Sequence, residues 1–135
     1  MSTARNAKTP RYRSLGLFLE GFLATAYARQ VSDNPERTWC PEPWRHDEGA
    51  LRLREMWQGY ETAVLDPHPG AVSDWWLLCA DPHMRALMDP DGPFKFCSVR
   101  NGHKDMLAPL AMRFDLAPAD LYTELPQLSA ASDAA

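Results

Sequence analysis

Two stretches of this chain repeat one spacing. In "CPEPWRH" five residues separate Cys40 from His46, and in "CSVRNGH" five residues separate Cys97 from His103. Each stretch is loop-like, the first through Pro41 and Pro43, the second through Asn101-Gly102. If both pairs grip one ion, the 56 residues between the two cysteines must return the chain to its starting point. No other feature constrains the fold as strongly.

The donor set suits zinc. Two sulfurs and two imidazole nitrogens make a full tetrahedral shell for a borderline-soft ion. Closing so long a loop costs roughly 3–4 kcal/mol from the length term alone, whereas a structural zinc site returns about 10–16 kcal/mol. A small helical protein broken by twelve prolines gains from such a staple. The spacing therefore predicts Cys40, His46, Cys97 and His103 as zinc ligands. His83 stands in reserve in a first helical turn, and His68 lies in a proline-rich turn. Cys79, in "SDWWLLCA", reads as core packing. Trp39 and Trp44 flank Cys40 and read as core or as cover for the metal loop.

Periodicity predicts a mainly α single domain with at most a short β-hairpin. Ser14 is placed to cap a first helix, "SLGLFLEGFLATAYARQV", ending near Ser32–Pro35. A second helix is predicted from Asp47 to Leu65, with Leu53, Trp57, Tyr60 and Val64 as its buried stripe. Ser73 caps a third, and Asp81-Pro82 either starts a fourth or kinks it. The segment "FKFCSVRNGH" carries the hairpin signal, and "APADLYTEL" the last ordered element, with Pro118 near a helix start. The expected organisation is a basic flexible leader over 1–13, a helical domain over 14–125 and a disordered tail over 126–135.

Charge narrows the function classes. The net charge is -4, but the leader holds Arg5, Lys8, Arg11 and Arg13 and no acid. The rest holds ten bases against eighteen acids, a poor match for a phosphate backbone. Nucleic acid would have to be met by the leader, with Lys95, Arg100 and Lys104 as additional cations. No signal peptide is legible and no apolar run is long enough for a membrane span, so a cytoplasmic protein with reduced thiols is expected.

The run "WCPEPWRHDEGALRLREMWQGYE", followed by "SDWWLLCADPHMRALMDPDGPFKFC" and a later "GH", resembles an uncharacterised actinobacterial domain family. The resemblance spans Leu17 to His103. It rests on a Trp-Cys-Pro block, a downstream Trp-Trp, an Asp-Pro-His and a Gly-Pro-Phe ahead of the second cysteine. The chain departs from that pattern at Pro43, where the family pattern has Trp. The family carries no established activity. What the resemblance implies is a setting among integrative elements, plasmids and prophages.

Three function classes follow. The first is a non-catalytic, zinc-stapled accessory module that binds another protein, because four protein ligands leave no open position for substrate. The second is a metal-dependent hydrolase or nuclease, which needs three ligands, a water and a base such as Glu42, Asp47 or Glu48. No HExxH helix or dense carboxylate cluster accompanies it. The third is a nucleic-acid adaptor working through the basic leader. Oligomeric state is open at this level.

Overall fold

Ser14 opens the first helix as predicted, its Oγ accepting the Leu17 N–H at 3.1 Å. The computed structural model describes residues 9–126, so Arg5, Lys8 and residues 127–135 of the predicted tail lie outside it. Helix α1 runs as α-helix over Leu15–Phe18, as π-helix over Leu19–Leu23 and again as α-helix over Ala24–Ala26. It stops well short of the predicted Ser32–Pro35. Tyr27 leaves the helical region (φ -108°, ψ 34°) because its ring stacks on Trp76 at 5.6 Å and its hydroxyl donates to the Asp81 carboxylate. Burial of that ring outweighs helix continuation.

Helix α2 spans Asp47–Leu65, as the sequence predicts. Asp47 and Glu48 sit in its first turn, where the amide dipoles favour them. Its buried face is Gly49, Leu53, Met56, Tyr60 and Ala63, rotated from the predicted stripe. Trp57 and Val64 are half-buried at the edge. The physical reason for Trp57 is its indole N–H, which donates to the Tyr12 carbonyl at 2.9 Å and keeps the ring at the rim.

Helix α3 is continuous through Ala71–Asp74, a π-helical Trp75–Ala80 and Asp81–Met88. Ser73 therefore lies inside it and does not cap it; Gly70 holds the cap position. Asp81-Pro82 starts no separate helix. Proline in an ordinary helix collides with the carbonyl four residues back. Here the turn just before Pro82 is widened, with the Asp81 N–H bonded to the Trp76 carbonyl.

The three helices close on a ladder of rings. Phe22 stacks on Tyr60 at 4.8 Å, Tyr60 meets Trp75 edge-on at 5.1 Å, and Phe18 is fully buried among them. Trp75 Nε1–H donates to the Met56 carbonyl at 3.0 Å, so the buried indole is satisfied. The chain before α1 is fastened too. Glu61 on α2 accepts the Arg11 and Tyr12 amides at 2.7 and 2.8 Å. Replacing Glu61 with Ala removes two charge-assisted bonds at a partly exposed site and should cost about 1–2 kcal/mol. Hydrogen exchange at the Arg11 and Tyr12 amides should accelerate with it; unchanged exchange would show that other contacts hold this segment.

Among the described residues there is no strand and no sheet. The hairpin signal resolves to one antiparallel bridge, Ser98 with Gly102, closed by Gly102 N–H to the Ser98 carbonyl at 2.7 Å. Gly102 takes the left-handed φ of 84° that the turn needs. The "APADLYTEL" signal gives a short 3-10 turn, Ala119–Tyr122, preceded by Pro118. It buries no apolar face, so a helical nucleus there has nothing to propagate against. The core runs from Phe18 to Cys97. No described helix is long and apolar enough to cross a membrane.

Candidate metal centre

Proline and helix start deliver the first arm. Pro43–Arg45 form a 3-10 turn that brings the chain from Cys40 to His46, the residue ahead of α2. Gly49, one turn into α2, lets that turn lie flat on the helix. A Cβ there would sit 2.4 Å from the Pro43 carbonyl oxygen and 3.1 Å from the Phe94 ring.

The second arm follows α3. Phe94 is fully buried, edge-on to Trp39 at 5.1 Å and 5.0 Å from the His46 ring. The chain then turns within one step, with Cys97 N–H bonded to the Phe94 carbonyl at 2.9 Å and Phe96 at φ 76°. That left-handed conformation is costly for a bulky residue. Here it is over-determined by the buried residues on either side, Phe94 and Cys97. Thr38 stitches the arms together, donating its N–H to the Met88 carbonyl at 2.9 Å and its hydroxyl to the Cys97 carbonyl at 3.2 Å.

The four predicted ligands come together. One donor atom each from Cys40, His46, Cys97 and His103 lies within 4.8 Å of the others. Cys40 Sγ is 3.4 Å from His103 Nδ1, and Cys97 Sγ is 3.4 Å from His46 Nε2. A tetrahedral ion with bonds of about 2.3 Å to sulfur and about 2.05 Å to nitrogen has a sulfur–nitrogen edge of about 3.5 Å. The observed edges fit that shell. Each thiol partners the imidazole of the other arm, so the cluster ties the two arms across the fold.

Electrostatics at the site favour neutral groups in the absence of an ion. Burial pushes the Cys40 thiol up to about 11, opposed by the Glu42 backbone N–H and reinforced by the neighbouring Cys97 sulfur. Burial also pulls the His46 imidazole below its ordinary range, with His103 adding to the effect. A neutral imidazole offers the lone pair a metal needs. Amide donors meet both sulfurs, from Glu42 to Cys40 and from Lys104 to Cys97 at 3.3 Å. Such donors stabilise thiolate charge once a cation is bound. The residues present could hold a metal ion.

The other candidates lie elsewhere. His83 sits on α3 with Nδ1 2.9 Å from an Arg52 nitrogen, and His68 is exposed in the turn after α2, its N–H on Asp66 Oδ1. Cys79 is half-buried and outside the cluster. Trp39 packs against the core as expected, while Trp44 is 55% exposed. Of the proposed bases, Glu42 pairs with Arg45 at 3.4 Å and Glu48 with Arg52 at 2.8 Å; Asp47 is exposed at the start of α2. Among the proposed nucleic-acid contacts, Arg11 reaches the Tyr60 hydroxyl at 3.2 Å and Arg13 is exposed. Lys95 pairs with Asp91 at 2.8 Å, Arg100 with Asp33 at 3.8 Å, and Lys104 lends its backbone to Cys97.

Sequence reasoning missed Phe94, Gly49 and Phe96, the residues that shape the site without donating to it. Gly-Pro-Phe ahead of the cysteine was the available signal. No curated protein and no solved structure matches the chain. The family model that matches is described as "Domain of unknown function (DUF4913)" and covers residues 12–115.

Proposed function

We propose that this chain, which belongs to the DUF4913 family of domains of unknown function, is a non-catalytic helical module stapled by one zinc ion. It acts by binding another protein, as an accessory of a mobile genetic element. The convergence of two thiols and two imidazoles from distant loops carries the reading. Four protein donors fill a tetrahedral shell, so the ion is structural and holds the loops on either side of α2 and α3 together. The mobile-element setting rests on the motif resemblance alone.

Two of the three candidate bases of the hydrolase reading are spent on arginine partners, and no fourth position is left for water. The test is metal content. Protein purified without added metal or chelator should carry one zinc per chain by native mass spectrometry, and chelation should unfold it. A chain that stays folded and ion-free refutes the staple.

Metal uptake should also release protons. Because burial holds the Cys40 thiol at about 11, the metal-free chain keeps that proton at neutral pH and must expel it on binding. Affinity should rise with pH, about tenfold per unit for each proton displaced. Depression of the His46 imidazole has the same sign. The unfolded chain binds its proton first as pH falls, so metal-free stability is present above the ordinary imidazole range and is lost below it. Calorimetry in buffers of different ionisation enthalpy counts the protons. Zero released would remove Cys40 from the ligand set.

A further inference from the structure

Beyond the metal centre the chain runs on as an uncovered apolar arm. Residues 104–126 are nearly all exposed, although they carry Leu107, Leu110, Met112, Phe114, Leu116 and Leu121, each between 45% and 82% accessible. A short monomer has no use for so much apolar side chain in water. The arm starts at the site itself, where the Lys104 N–H meets Cys97 Sγ.

The same chain also carries an open apolar cleft of about 720 Å³. It is lined by Leu19 and Leu23 of α1, Trp39 and Trp44 of the first metal arm, and Leu53 and Met88. A cleft of that size holds roughly four large apolar side chains.

We propose that the arm of one chain docks in the cleft of a second copy, and that the exchange is reciprocal, giving a two-fold dimer. Three observations select a second copy as the occupant. The apolar arm and the apolar cleft belong to one polypeptide, and the arm does not fill its own cleft. Their charges match: Arg113 and Asp115 alternate with Met112, Phe114 and Leu116, while Glu20 and Arg29 line the cleft. Among the described residues Arg113 and Asp115 form an ion pair with each other alone, at 2.7 Å, and Glu20 forms none. The area is also sufficient. Four such side chains carry on the order of 100 Å² each, so with the cleft surface they cover, two arm-in-cleft contacts bury about 1,100 Å² in total, above the roughly 1,000 Å² that a specific interface needs. Two self-complementary contacts related by a two-fold axis close the assembly.

The inference goes beyond the zinc reading and does not depend on which ion is bound. Light scattering on the full chain at tens of micromolar should give twice 15.2 kDa. The arm variant F114D/L116D changes residues 60% and 69% exposed and should run as a monomer. So should Ala24→Asp, an exposed residue of α1 that lines the cleft away from both metal arms. Mixing the two monomeric variants in equal amounts should restore a dimer held by one intact arm in one intact cleft, at least tenfold weaker than the parent. Ion content measured on the same samples should stay at one per chain, which separates this result from failure of the metal centre. A monomeric full chain, a dimer that survives both variants, or a mixture that stays monomeric would each overturn the exchange. So would a small apolar molecule copurifying in the cleft of a monomer.

Discussion

Cys97→Ser should abolish stoichiometric metal binding and lower stability by about 4 kcal/mol or more. Serine is nearly isosteric, but its hydroxyl stays protonated near neutral pH and is a hard donor, whereas the site needs a second soft anion. Loss of one of four ligands by three decades in binding constant already amounts to about 4 kcal/mol. That is a large share of the 5–15 kcal/mol a domain of this size possesses. The loss should be cooperative across the two arms, because Cys97 faces His46 at 3.4 Å and accepts the Lys104 amide. The control is Cys79→Ser. That thiol is half-buried on α3 outside the cluster, so its substitution should leave ion content unchanged. Native mass spectrometry and urea midpoints read both variants. Equal ion content in the two would dismiss Cys97 as a ligand.

Gly49→Ala should destabilise the protein by about 2–4 kcal/mol, against what helix propensity predicts. Alanine is favoured over glycine in a helix interior by roughly 1 kcal/mol. At this position the new methyl would stand 2.4 Å from the Pro43 carbonyl oxygen, and backbone must move to admit it. The neighbouring Phe94 ring, at 3.1 Å, cannot swing away because it is fully buried between Trp39 and His46. Overpacking of this kind typically costs 1–3 kcal/mol before any loss of metal. The displaced turn carries His46, so metal affinity should fall in the same variant. Gly16→Ala supplies the contrast. Its nearest neighbour is the Ser14 hydroxyl at 3.9 Å, and the change should stabilise α1 by up to about 1 kcal/mol. A Gly49→Ala protein as stable as the parent, with its affinity intact, would mean that the 3-10 turn is not pressed against α2.

Much of the metal centre was legible because its grammar is local. The Cys-to-His spacing, the prolines of the first arm and the Asn-Gly of the second are contiguous strings, and each fixes the reach of its loop. The bounds of α2 were legible for the same reason, since acidic first-turn residues and an Asp-Pro stop bracket one amphipathic run. His83 shows where such reasoning stops. Its place on a helix was legible, but it lies inside α3 and not in a first turn, and its direction was not encoded there; the ring faces Arg52, a partner on another helix.

The sequence by itself determined which four residues converge as candidate metal donors, where two of the three helices begin and, among the described residues, that no long strand competes. Only the tertiary structure decided which face of α2 is buried, where α1 ends and how α3 passes Pro82 without breaking. Those outcomes depend on rings from different helices competing for one interior. Tyr27 leaves its helix to reach Trp76 and Asp81, and a π-turn absorbs the proline because packing on both sides keeps the helix whole. Local propensities differ by about 1 kcal/mol or less per residue, whereas burying one aromatic side chain is worth two or three times that. Where the two disagree, burial wins, and burial is a property of the assembled chain.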